Sequence, residues 1–132
     1  MSKEVINVPN RPKAPYSPGI KAGDYIFVSG QVGLVDDKGR ELKGIEAQTR
    51  QCLENVKQVL EAAGSSLNDV VKVTVFLTKA DDFAKMNEVY LSYFTKDLPA
   101  RATIITALTK PAMEIEIECM AYHPVSPAQV GC

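Results

Sequence analysis

The chain has 132 residues, 45% of them hydrophobic and 23% charged, with 15 Lys and Arg against 16 Asp and Glu. That size and balance exclude a disordered or collagenous chain and fit one globular domain, residues 1–132, with a core that needs neither a disulfide nor a structural metal. A net charge of −1 argues against nucleic acid as a partner, and a single histidine leaves no material for a histidine triad or a His-rich metal site.

No stretch approaches the roughly 18 apolar residues of a membrane span, and residues 1–22 lack the apolar run of a signal peptide. The cysteines, Cys52, Cys119 and Cys132, are odd in number and show no C-x-x-C spacing. Free thiols in a reducing compartment follow, and a cytoplasmic location is the expectation.

Four of the eight prolines (Pro9, Pro12, Pro15, Pro18) fall in residues 1–22, which therefore read as an extended loop. Tyr25 to Ser29 is β-branched and aromatic and predicts a strand that Gln31 to Val35 can continue up to the turn at Asp36–Gly39. Apolar or small residues at Ile45, Thr49, Cys52, Leu53, Val56, Val59, Leu60 and Ala63 predict a helix, with Gly64 suited to its C′ position. Its other face carries Glu46, Arg50, Glu54, Lys57 and Glu61 and reads as solvated. Val70 to Thr78 predicts a central strand.

Asp81 or Asp82 is placed to cap a second helix with the stripe Phe83, Met86, Tyr90, Tyr93 and Phe94. Arg101 to Leu108 and Glu114 to Tyr122 predict two more strands, which the short turn Thr109–Met113 would join as an antiparallel hairpin. The tail after His123, with Pro124, Pro127 and Gly131, reads as loose. The expected fold is a two-layer α+β sandwich, a mostly antiparallel sheet with both helices on one face. Its other face mixes Glu114, Glu116 and Glu118 with apolar residues, so it is either wet or a subunit interface.

Few residues offer chemistry. Arg101, just after Pro99–Ala100, carries a rigid fork of donors suited to a carboxylate or phosphate, or to a surface ion pair. Glu116 sits mid-strand, where charge is disfavoured unless the face is wet or the group is used, and carboxylates are the one plentiful general base. In the predicted hairpin Arg101 pairs near Met120 or Ala121 and Glu116 near Ile105, so a joint site would draw on two subunits. Ser29–Gly30 is either a close approach for a ligand or a plain bulge or turn. Tyr16, among prolines, either covers a pocket or packs its loop down. Cys52 and Cys119 fall on apolar stripes, and His123 reads as a surface residue. No metal site and no cofactor are expected.

The segments Ala14-Pro15-Tyr16-Ser17-Pro18-Gly19, Phe27-Val28-Ser29-Gly30-Gln31, Gln48 to Gly64, Val71 to Phe76, Asp82 to Tyr90, Pro99-Ala100-Arg101 and Ile115-Glu116-Ile117-Glu118 together resemble the reactive intermediate deaminase (RidA/YjgF) family, in order over nearly the whole chain. The resemblance implies a chorismate-mutase-like α+β fold in a homotrimer with clefts between subunits. It also implies hydrolysis of enamine/imine intermediates, such as 2-aminoacrylate and 2-aminocrotonate released by pyridoxal-phosphate dehydratases, to 2-keto acids and ammonia. Arg101 would then hold the substrate carboxylate and Glu116 the attacking water. Tyr16, Ser29 and the backbone of Gly30 would complete the pocket, with Asn87 near the cleft. Thr103 stands where many relatives carry Cys and would act through its backbone N–H. Two other readings are a non-catalytic module binding 2-keto acids or a partner, and an endoribonuclease or translation inhibitor, against which the charge and the lone histidine weigh.

Overall fold

The computed structural model describes residues 2–124, and the tail expected to be loose, with Pro127, Gly131 and Cys132, lies outside them beyond Pro124. The proline-rich start, expected to be all loop, contains two short strands, β1 (Glu4–Ile6) and β2 (Gly19–Ala22). All four prolines fall in the connection between them, so no ladder N–H is lost. β2 turns at Gly23–Asp24 into β3 (Tyr25–Val32), which stops short of the expected Val35; Val35 makes only an isolated bridge to Glu41.

The first helix, α1 (Ile45–Ala62), forms where the periodicity placed it. Gly64, at φ 80°, ends it: the Gly64 N–H donates to the Glu61 carbonyl at 3.0 Å and the Ser65 N–H to the Leu60 carbonyl at 2.8 Å. This paired closure needs a left-handed residue, which glycine adopts without steric cost. Of its outer face, Glu54 is tied down, accepting a 2.6 Å bond from the Tyr93 hydroxyl. β4 (Val70–Leu77) leads through a 3₁₀ turn at Ala80–Asp82 into α2 (Phe83–Tyr93). Asp82 occupies the cap position without making a side-chain cap: the preceding 3₁₀ turn leaves its backbone already helical (φ −83°, ψ −4°), not in the extended conformation from which a capping side chain reaches the first-turn N–H groups. β5 (Ala100–Ile105) and β6 (Ile115–Tyr122) complete the sheet.

The strand order is β1-β2-β3-β6-β4-β5. The predicted β5–β6 hairpin does not form. β5 runs parallel to β4 along the edge, Arg101 opposite Val73 and Ile104 opposite Phe76, while β6 runs antiparallel between β3 and β4. Burial decides this pairing. Ile115, Ile117 and Ala121 are fully buried and call for neighbours on both sides, whereas β5 is exposed at Ala100, Ile104 and Ile105 and suits an edge. Residues 106–114 carry the chain across β4. The sheet is thus mixed, five strands linked antiparallel and one parallel pair, with α2 the crossover between β4 and β5.

The core lies between the helices and one sheet face, where Ile26, Val28, Val73, Val75, Leu77, Ile115 and Ile117 meet Leu53, Val56, Val59 and Leu60 of α1. Each such side chain contributes about 1.5–3 kcal/mol on burial. Cys52 and Cys119 are buried and free here, and burial pushes the Cys119 thiol up to about 12. The buried Gln48 is fully bonded: its amide nitrogen donates to the Leu42 and Ala112 carbonyls, and its oxygen accepts the Glu114 N–H. The opposite sheet face is open, with Tyr25, Phe27, Ile104 and Tyr122 more than two-fifths exposed. Among the described residues no helix is long and apolar enough to cross a membrane.

Candidate active site

The candidate residues gather in two places. The first lies on the open face. Alternation along β6 sends Ile115, Ile117 and Cys119 to the core and Glu116 outward, level with Val32 on β3 and Phe76 on β4. Between Val28 and Gln31 the β3–β6 register shifts, so Ser29 and Gly30 together oppose Glu118. Ser29–Gly30 thus forms a bulge. It also brings Gly30 against the Glu116 carboxyl: a β-carbon at residue 30 would stand 2.9 Å from Glu116 Cδ and closer still to Oε2. Any side chain there would push the Glu116 carboxyl aside, so the missing Cβ at Gly30 sets where that carboxyl rests.

Ser29 holds the proline-rich loop. Its hydroxyl donates to the Ser17 carbonyl at 2.6 Å and its N–H to the Pro18 carbonyl at 3.0 Å. That loop carries Tyr16, which is 63% exposed and lines, with Gly30, a cavity of about 630 Å³. Arg11 pins the loop from the other side, donating to Gln31 Oε1 at 2.7 Å and to the Asn55 carbonyl at 3.3 Å. Arg11 carries no signal in the sequence beyond being a cation in a proline-rich stretch. Glu116 is not part of that cavity's lining; it lines a separate, open cleft of about 430 Å³ with Phe76 and residues 106–109, and Gly30 links the two places through its contact with the carboxyl. Among the described residues Glu116 forms no ion pair. Burial pushes its carboxyl above the ordinary range, and the neighbouring Glu118 carboxylate adds to the rise. A carboxyl tuned upward without a cationic partner is suited to taking and returning a proton.

The second group lies on the helix side of the β5 edge. Arg101 stands level with Val73, a core residue, and so faces α2. Its guanidinium carbon sits 4.7 Å from the centroid of the Tyr90 ring and 5.7 Å from that of Phe83. Asn87 is half-buried on the same strip of α2, one turn from each ring, and Thr103 follows Arg101 on the same side of β5. Among the described residues Arg101 has no salt bridge, so the surface ion pair is not what it makes. Phe83, read as a core position, is 45% exposed and lies beneath the guanidinium.

Within one chain the two groups do not meet. Through β4, Arg101 is level with Val73 and Glu116 with Phe76, three residues or about 10 Å along the strand, and they point to opposite faces. The expected separation stands, although the pairing that produces it differs. His123, expected at the surface, is half-buried: its Nδ1 lies 2.9 Å from Asp69 Oδ2, which also accepts the Ser65 hydroxyl at 2.7 Å. That contact ties the end of β6 down and is remote from both groups in the sheet. Among the described residues no three His, Cys, Asp or Glu side chains are placed to hold a metal ion.

Residues 7–123 match the family model described as endoribonuclease L-PSP. A "RutC family protein" of Pyrococcus horikoshii is 52% identical over 123 residues, covering 91% of this chain and 98% of that protein. The 2-iminobutanoate/2-iminopropanoate deaminase of Salmonella typhimurium is 40% identical over 126 residues, covering 92% of this chain and 98% of the enzyme. Among solved structures, that of the YjgF gene product from E. coli superposes with a TM-score of 0.83 at 38% identity, over 90% of this chain and 98% of that one.

Proposed function

We propose an activity for a chain that belongs to the endoribonuclease L-PSP family, the YjgF/RidA proteins: it hydrolyses 2-aminoacrylate- and 2-aminocrotonate-type enamines, through their imine tautomers, to 2-keto acids and ammonia. The observation that carries this reading is the pair of unneutralised charges, a stacked Arg101 with its donors free and a Glu116 carboxyl raised by burial, in a chain 40% identical to a named imine deaminase. Arg101 binds the substrate carboxylate. Glu116 takes a proton from water as the water adds to the iminium carbon, forming a C–O bond while the C=N π pair moves to nitrogen. The same carboxyl returns that proton to nitrogen; ionised again, it takes the hydroxyl proton as the carbonyl forms and the C–N bond breaks, and the departing ammonia carries that proton away as ammonium. An iminium carbon is already electrophilic, so positioning and one proton carrier supply the main needs of the step.

The site is shared between subunits of a homotrimer, Arg101, Asn87 and Thr103 from one and Tyr16, Ser29, Gly30 and Glu116 from its neighbour. Support comes from the opposite orientation of the two groups and from the exposed Tyr25, Phe27, Ile104 and Tyr122, an apolar face of the kind that marks an interface. The substrates are those released by pyridoxal-phosphate dehydratases, and the buried free thiols suit a reducing cytoplasm. The nuclease activity in the family model's name fits less well with a net charge of −1 and a single histidine.

The test couples the protein to a threonine dehydratase and follows early 2-oxobutanoate release. Wild type accelerates release; Arg101→Ala and Glu116→Gln each lose on the order of a hundredfold or more. A wild-type protein without effect on release would overturn the reading, and 2-oxobutanoate binding in that case would favour the non-catalytic module.

A further inference from the structure

An arginine that clamps a substrate must itself be held, because ordering a long side chain at the moment of binding costs affinity. The usual holder, a carboxylate, would occupy the donors the substrate needs. Arg101 has no such partner among the described residues, and what it has instead is two aromatic faces. A ring attracts the plane of the guanidinium and leaves the N–H groups at its edge free. Both rings come from one strip of α2, two turns apart. Tyr90 is only 3% exposed and is backed by Phe94, their centroids 4.7 Å apart, so the ring is fixed before any ligand arrives. Its buried hydroxyl makes no well-formed hydrogen bond among the described residues; burial raises the phenol's pKa and the nearby Arg101 charge opposes that rise, so the close contact that holds the guanidinium is with the ring face.

We propose that Tyr90, assisted by Phe83, is a positioning residue that fixes the plane of the Arg101 guanidinium so that its free donors meet a substrate carboxylate already ordered. This inference rests on Arg101 being the carboxylate clamp. It assigns α2 a part in substrate affinity and none in the proton transfers, which belong to Glu116.

Steady-state deamination, calorimetric binding of 2-oxobutanoate and NMR of the Arg101 Nε–H group test it together on the full chain. Tyr90→Leu raises KM and the 2-oxobutanoate Kd on the order of tenfold with kcat within about threefold. Phe83→Leu, at a half-exposed site that tolerates the change, shifts both in the same direction by less. Tyr90→Phe keeps the ring and rescues both. The Nε–H signal reports a rigid guanidinium in wild type and Tyr90→Phe and a mobile one in the two leucine variants. Unchanged KM, Kd and Nε–H order in Phe83→Leu and Tyr90→Leu overturn the proposal, as does Tyr90→Phe being as damaging as Tyr90→Leu. Should wild type neither turn over imine nor bind 2-oxobutanoate, the functional reading falls by itself. The Nε–H order of the variants then decides separately whether the rings hold Arg101.

Discussion

The corner around Glu116 and the edge around Arg101 solve opposite problems with different materials. At Glu116 the work is done by backbone: a bulge, a residue without a side chain and a loop fastened through Ser29 and Arg11. The result is a carboxyl whose charged form is disfavoured, as a proton carrier requires. At Arg101 the work is done by rings, which keep the charge and leave the hydrogen-bond donors free. Within one chain the alternation of the sheet sends the two groups to opposite faces, so neither neutralises the other there and each is left for a partner from outside the chain.

The comparison can be broken at either end. Gly30→Ala should have the larger effect, because the added methyl displaces the Glu116 carboxyl. We expect kcat to fall by tenfold to a hundredfold while 2-oxobutanoate affinity, set at Arg101, changes by less than about threefold. Kinetics beside calorimetry check this, and an equal loss in both would dissolve the distinction between the two groups.

Glu118→Gln sharpens the comparison with a smaller effect. Glu116 acts as a base, so the rate is present above its pKa and is lost as pH falls through it; a raised pKa places that acid limb above the ordinary carboxylate value of 4.5. Removing the neighbouring carboxylate takes away one cause of the rise, so the limb in kcat/KM against pH should move to lower pH. Thr103→Ala, on the Arg101 side, should leave the limb where it is.

Much of this was legible in the sequence for a physical reason in each case. Both helices follow from local periodicity, and Gly64 ends the first because a left-handed residue is needed there. Arg101 and Glu116 stand out because a charge within a strand demands an explanation. Strand pairing was not local: the turn-like residues 109–113 suggested a hairpin, but the burial of Ile115, Ile117 and Ala121 forces β6 to the centre and β5 to the edge. The stripe of α2 could not separate rings that fill the core from a ring that faces a guanidinium, so Tyr90 and Phe83 read alike as packing. The strands β1 and β2 were hidden by prolines that lie between them and not in them.

The most direct test of the shared site is subunit mixing. Arg101→Ala and Glu116→Gln chains, each inactive alone, are unfolded together in equal amounts, refolded and assayed for imine deamination. Random assembly places an intact arginine group against an intact glutamate group in roughly a quarter of the clefts, so the mixture should recover roughly a quarter of wild-type activity. A refolded, assembled mixture as inactive as its two components would contradict the account.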